Sequence, residues 1–176
     1  MLRRGTAALV ALGALAVGAG ALVDGRLGSF GELGMVAREE VVEVVRVVDG
    51  DTIRVRFRSG DEEPVRYIGV DTPEVTPGRP VECYGRRTSA ANRRLVGGRQ
   101  VRLEWDRERR DRYGRSLAYV HRLDDDELFV NAELVRRGFA TTLRVEPNVA
   151  HAEELGRLAG RARDAGRGLW AACPPG

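Results

Sequence analysis

The chain has 176 residues, 43% of them hydrophobic and 31% charged, which is enough for one globular domain with an appendage and excludes a wholly disordered chain. All 29 basic residues are arginine and the net charge is +3. Without residues 1–21, which carry Arg3 and Arg4, 27 bases face 26 acids; a case for a nucleic-acid partner must therefore come from particular arginines, not from bulk charge.

In chain order, two arginines precede an apolar run from Ala7 to Val23, and Ala19-Gly20-Ala21 offers a small-residue cleavage site. The same run is just long enough to span a bilayer uncleaved. Residues 1–23 are expected to be a signal peptide or an N-terminal membrane anchor, with any membrane association running through residues 5–23. Both readings put the domain outside the cytoplasm, secreted or held on the outer face of the membrane. Residues 24–40 are punctuated by glycine without a sustained period and read as a linker, leaving 41–173 as the folded domain.

From Val41 the stretches VVEVVRVV, DTIRVRFRSG and EPVRYIGV are β-rich and separated by Asp-Gly and Ser-Gly-Asp turns. A helix is expected over 82–96, stopped by Gly97-Gly98. RQVRLEWD and GRSLAYVHRL are the fourth and fifth strands, the latter entered through a turn at Asp111-Arg112-Tyr113-Gly114. Helices follow over 128–137 and 148–164, with Asn148 as a candidate cap and Leu155, Leu158 and Ala162 as the apolar stripe of the second. This order predicts an α+β fold: a five-stranded OB-type Greek-key β-barrel with three helices.

A turn centred between Gly60 and Asp61 would pair Ile53 with Ile68, Val55 with Arg66, and Asp51 with Val70. That register places Arg66 on the core-side face and brings Asp51 beside Asp71. Two acids held together are unfavourable, and so is a buried guanidinium without a partner. A hard cation between the acids and a phosphate on the arginine would satisfy both. A plain structural ion pair between Arg66 and Asp51 is the alternative. Thr72-Pro73-Glu74 could equally start a helix, but the expected helix lies eight residues on, so the stretch reads as an acidic elbow.

Val48 through Thr52, Arg66 through Glu74, and Asp111 through Arg115 resemble, in order and spacing, three motifs of the staphylococcal nuclease family. LVRRGFA, the Pro147-Asn148 helix start and Gly166 through Trp170 extend the likeness over about residues 41–170. The resemblance implies an OB barrel with three helices and a calcium-dependent phosphodiesterase acting on DNA and RNA. It implies that Asp51 and Asp71 ligate Ca2+ through their carboxylates and Thr72 through its carbonyl. It further implies that Glu74 contacts the attacking water as general base, that Arg66 and Arg115 grip the scissile phosphate, and that Tyr113 lines the nucleotide pocket. A catalytically weak or inactive nucleic-acid-binding OB module is the alternative.

The likeness has gaps. Leu143-Arg144-Val145-Glu146 has no aromatic residue where two tyrosines are expected, and VTPGRPVECYG replaces a lysine-rich loop. Arg79, Arg86 and Arg87 could still meet phosphates. His121 and His151 stand too far apart in sequence to suggest a zinc pair and receive no role. In an oxidising compartment Cys83 and Cys173 can form a disulfide; the alternative is two free thiols. We expect a monomer.

Overall fold

The computed structural model describes residues 39–75, 78–124 and 126–173. The expected leader at 1–23 and most of the linker lie outside these residues. Among the described residues no helix is long and apolar enough to cross a membrane.

Strand β1 (Glu39–Val47) pairs antiparallel with both β2 (Thr52–Arg56) and β5 (Gln100–Glu104). A register shift between Val44 and Arg46 bends it so that it can serve both neighbours. Strand β3 (Glu62–Tyr67) continues from β2, and β6 (Ser116–Arg122) continues from β5. A parallel pairing of β3 with β6 closes the five strands into a barrel. Its interior is aliphatic: Val44, Ile53, Val55, Val65, Val101, Leu103 and Val120 are all buried.

The hairpin of β2 and β3 departs from the expected register. Ile53 lies opposite Val65, Thr52 opposite Arg66 and Val55 opposite Glu63, because the turn is centred earlier, at Ser59. There Phe57 N–H donates to Asp61 O and Gly60 N–H to Phe57 O, while the Asp61 carboxylate accepts from Ser59 Oγ. The shift is three residues, an odd number, so it exchanges the faces of β3. Val65 and Tyr67 enter the core and Arg66 leaves it. Burying a valine is worth about 1.5–3 kcal/mol, whereas an interior guanidinium would carry a desolvation penalty, so packing enforces the observed register. Ile68 and Val70 are nonetheless buried, because Gly69 (φ +80) turns the chain into β4 (Val70–Asp71). That short strand pairs with β8 (Thr141–Thr142) in a separate two-stranded sheet.

Helix α1 (Gly85–Val96) starts three residues later than expected and buries Thr88, Ala91, Asn92, Leu95 and Val96. Strand β7 (Leu128–Phe129) pairs with β6, so helix α2 (Val130–Arg136) begins two residues late. Helix α3 (Ala152–Asp164) packs on α2 and buries Leu155 and Ala162. Asn148 does not cap it. Its side chain instead holds both the N–H and the C=O of Glu108, at 2.8 Å each. A fourth, four-residue helix α4 (Leu169–Ala172) was not expected; it hangs on Gly138 O through Leu169 N–H at 2.8 Å. Cys83 and Cys173 are joined as a disulfide with Cα atoms 5.8 Å apart, tying the segment before α1 to the end of α4.

Asn131, fully buried at the start of α2, accepts from Val120 N–H at 3.0 Å and donates to Ile68 O at 2.8 Å. It thereby fixes the turn that leads from β3 into β4. Asn131→Ala leaves two buried backbone groups unsatisfied and should destabilise the chain by about 2–4 kcal/mol, read as a drop in the urea midpoint.

Candidate active site

The site is built around Asp51, which follows the turn Val48-Asp49-Gly50 and has 0% of its surface exposed. Its Oδ2 accepts from Thr72 N–H (2.9 Å) and Thr72 Oγ1 (2.8 Å). Its Oδ1 accepts from Thr52 Oγ1 (3.3 Å) and forms an ion pair with Arg66. The other end of the same guanidinium donates to Asp71 Oδ1 at 2.9 Å. Arg66 therefore bridges two carboxylates that are 20 residues apart in sequence, one buried and one with a half-exposed side chain. The expected convergence of Asp51, Arg66, Asp71 and Thr72 is present, although Arg66 reaches it from the opposite face of β3 to the one the hairpin arithmetic gave.

One guanidinium does not neutralise this cluster. Burial is the main force raising the Asp51 pKa, to about 7; Arg66 opposes it, while the charges of Asp49 and Asp71 add to it. The excess of negative charge among hard oxygen donors fits a hard cation. Among the described residues, however, no group of three or more His, Cys, Asp and Glu side chains gathers closely enough to hold a metal. The ligands that the resemblance implies, the carboxylates of Asp51 and Asp71 and the Thr72 carbonyl, would leave most positions on a cation to other oxygens.

Gly50 is part of this construction, and the residue-by-residue reading missed it. A Cβ at Gly50 would come within 2.5 Å of both Thr72 Oγ1 and Thr88 Cγ2, so only glycine lets the two turns meet. Asn92, buried in α1, donates to Asp49 O at 3.0 Å and accepts from Tyr67 Oη at 3.0 Å, pinning the same turn from behind. The Asp-Gly-Asp-Thr motif carried the signal for Gly50, whereas nothing local marked Asn92.

Glu74 is exposed, and its backbone is held at both ends by Glu82: Glu74 N–H donates to Glu82 Oε2 and Glu82 N–H to Glu74 O, each at 3.0 Å. Arg115 stands just before β6, where Ser116 lies opposite Val65 and Leu117 opposite Arg66. The seam that closes the barrel thus brings the Arg115 segment alongside Arg66. Asp111 fixes the arginine by accepting from its Nε (2.7 Å) and its N–H (2.9 Å). Burial raises the Asp111 pKa, but the hydrogen bonds from Arg115 and Tyr113 outweigh it and hold the carboxyl below its ordinary range. Tyr113 is 69% exposed, with the guanidinium carbons of Arg112 and Arg115 at 4.8 and 5.5 Å from its ring centre. Arg79, Arg86 and Arg87 are exposed, and Arg87 lies over the Tyr84 ring.

His121 and His151, distant in sequence, share one carboxylate. His121 Nε2 lies 2.8 Å from Glu104 Oε2, and His151 Nε2 lies 2.9 Å from Glu104 Oε1. Both rings pack on Phe129. This cluster staples the start of α3 to the barrel.

A closed five-stranded barrel with appended helices is an OB-type fold, here with two acids sharing one arginine at the end of a hairpin and a second arginine just before the strand that closes the barrel. The family model described as staphylococcal nuclease homologue matches residues 64–172. Thermonuclease of Staphylococcus hyicus is 39% identical over 135 residues, covering 76% of this chain and 78% of the relative. Thermonuclease of Staphylococcus intermedius is 44% identical over 122 residues, covering 69% and 70%. Endonuclease YncB of Bacillus subtilis (strain 168) is 40% identical over 117 residues, covering 65% and 54%. The chain belongs to the staphylococcal nuclease family.

The Glu104 cluster sets an acid limit on stability. Burial raises the Glu104 pKa, but the hydrogen bonds and charges of His151 and His121 outweigh it, leaving the folded value below the ordinary 4.5. Burial and the nearby Arg102 hold His121 below its ordinary 6.5. In both cases the unfolded chain takes up the proton more readily. These two groups therefore cost stability as pH drops below 6.5 and again below 4.5, whereas Asp51, raised to about 7, acts in the opposite sense because the folded chain takes up its proton first, so the two falls are read in Asp51→Asn. Urea midpoints measured from pH 8 to pH 3 check this, and Glu104→Gln should flatten the second fall.

Proposed function

We propose that this member of the staphylococcal nuclease family is a calcium-dependent nuclease hydrolysing phosphodiester bonds of DNA and/or RNA outside the cytoplasm. The observation that carries the reading is the single guanidinium of Arg66 shared by Asp51 and Asp71, with the segment that bears Arg115 leading into the strand paired with β3. Such an arrangement has a use for a phosphate, which would draw on the arginines, and for a cation, which would relieve the acids. The relatives named as thermonucleases and endonucleases support the same reaction class. The apolar run at 7–23 and the disulfide support an address in an oxidising compartment.

Asp51, Asp71 and the Thr72 carbonyl would hold calcium, which when bound offsets negative charge at the phosphate and helps orient the nucleophile. Arg66 and Arg115 bind the phosphate oxygens through planar, charge-assisted hydrogen bonds that strengthen as charge grows in the transition state. Asp111 holds the Arg115 fork in place, so part of that binding is preorganised. Glu74 takes a proton from the attacking water. The exposed ring of Tyr113 packs beside a nucleotide.

Incubation of the full chain with single-stranded DNA, duplex DNA and RNA, with calcium or a chelator, tests the reading. Cleavage should need calcium and should be lost in Glu74→Gln. Arg115→Ala should lower turnover by about 100-fold or more, the scale of removing one transition-state donor. Arg66→Ala should fall at least as far, with circular dichroism to confirm that it is folded. Wild-type turnover in Arg115→Ala or Glu74→Gln, or cleavage indifferent to the chelator, would refute the assignment.

A further inference from the structure

In the stretch Glu82 to Gly85, the first and last residues bear on the backbone of the elbow. Glu82 closes a two-bond ring with Glu74, as described above. Cys83 carries the disulfide to Cys173 at the end of α4. Tyr84 is, among the described residues, the one non-glycine with positive φ, at 70°. Gly85 lies so close beneath the elbow that a Cβ there would stand 2.9 Å from Glu74 O and 3.0 Å from Pro73 O. A side chain held in the left-handed region persists only where its surroundings over-determine it, and such positions cluster at functional sites. Here the surroundings are the clamp on one side of Tyr84 and the tight glycine contact on the other.

The disulfide has a place in this arrangement beyond shortening the unfolded chain. Glu82 and Cys83 are both exposed and belong to no helix or strand. Through Cys173 they are tied to α4, which is itself hydrogen-bonded to Gly138 O, just past α2. Asp71, Thr72, Pro73, Glu82, Cys83 and Cys173 all line one cleft of about 280 Å³. Elbow and disulfide thus border the same cleft.

We propose that the Cys83–Cys173 disulfide and Glu82 are positioning elements for the catalytic carboxylate of Glu74, so that turnover depends on the redox state of this pair. The proposal rests on reading Glu74 as the group that takes the proton from water. Reduction by a dithiol transfers two electrons and two protons to the bridge, giving two cysteine thiols and the cyclic disulfide of the reductant. With the bridge open, Glu82 keeps its carbonyl on Gly85 N–H at 3.0 Å but loses its tie to α4, so the two bonds that fix Glu74 rest on α1 alone. Displacement of a catalytic group by about 1 Å can lower a rate 100-fold, whereas phosphate binding through Arg66 and Arg115 does not use this anchor.

The test is a steady-state comparison, with calcium and a DNA oligonucleotide, of the oxidised chain, the dithiol-reduced chain, Cys83→Ser/Cys173→Ser, Glu82→Ala and Glu82→Gln. Each is checked for native circular dichroism at the assay temperature. Glu82→Ala keeps the disulfide and Glu82→Gln keeps an acceptor for Glu74 N–H. We expect kcat to fall roughly ten-fold or more in Glu82→Ala, in the reduced chain and in the serine pair, with KM changed less than about two-fold, and Glu82→Gln to retain most of the turnover. Wild-type kcat in Glu82→Ala, equal losses in Glu82→Gln and Glu82→Ala, or full turnover in a folded reduced chain would overturn the proposal while leaving the nuclease reading intact. An oxidised wild-type chain that binds DNA but does not cleave it would overturn both.

Discussion

The structure of the site depends on the complete burial of one carboxylate, Asp51. An acid withdrawn from water must be met by donors, and this one is met by Thr52, by both the backbone and hydroxyl of Thr72, and by Arg66. Each donor imposes a shape. Reaching Thr72 requires the turn before Asp51 and the elbow after β4 to touch, which requires glycine at position 50. Reaching Arg66 requires the β2–β3 hairpin to end where it does, with Tyr67 N–H donating to Asp51 O at 2.9 Å. The elbow is therefore a consequence of satisfying Asp51, and Asp71 and Glu74 are positioned by the same requirement.

Barrel closure does the rest. In an open sheet β3 and the start of β6, which β7 does not reach, would have unpaired edges, and the Arg115 segment would have no fixed relation to Arg66. Their parallel pairing removes both edges and aligns the two arginine-bearing segments. The helices act behind this face. Asn92 in α1 pins the Asp49 turn, and Asn131 in α2 pins the Ile68 carbonyl just before the elbow. Buried amides, not bulky side chains, make these joints, since an amide can accept from one backbone segment and donate to another at once.

Much of this was legible in the sequence, and the failures have physical causes. Alternation of apolar residues revealed the strands, and the acids and arginines stood in recognisable order. The Ser-Gly-Asp sequence suggests a turn centred between its glycine and its aspartate, whereas the turn is centred at Ser59, where Ser59 and Asp61 bond to each other and Gly60 supplies its positive φ and an N–H to Phe57 O. Asp51, Arg66 and Asp71 met regardless, since a long arginine can approach the hairpin end from either face. Strands β4, β7 and β8 are two residues long and helix α4 is four, too short for any periodicity to register. His121 and His151 looked unrelated because Glu104, which joins them, lies on a third element.

On the proposed function, Asp51 is a buried, under-compensated carboxylate that a bound calcium would relieve. Carbon-13 NMR of the aspartate side-chain carboxyls, assigned through Asp51→Asn, reads this directly as a pH titration with and without calcium. Without calcium the Asp51 resonance should titrate well above the ordinary 3.8, near 7, and calcium should move that midpoint downward. An Asp51 that titrates normally, or whose midpoint does not respond to calcium, would contradict it.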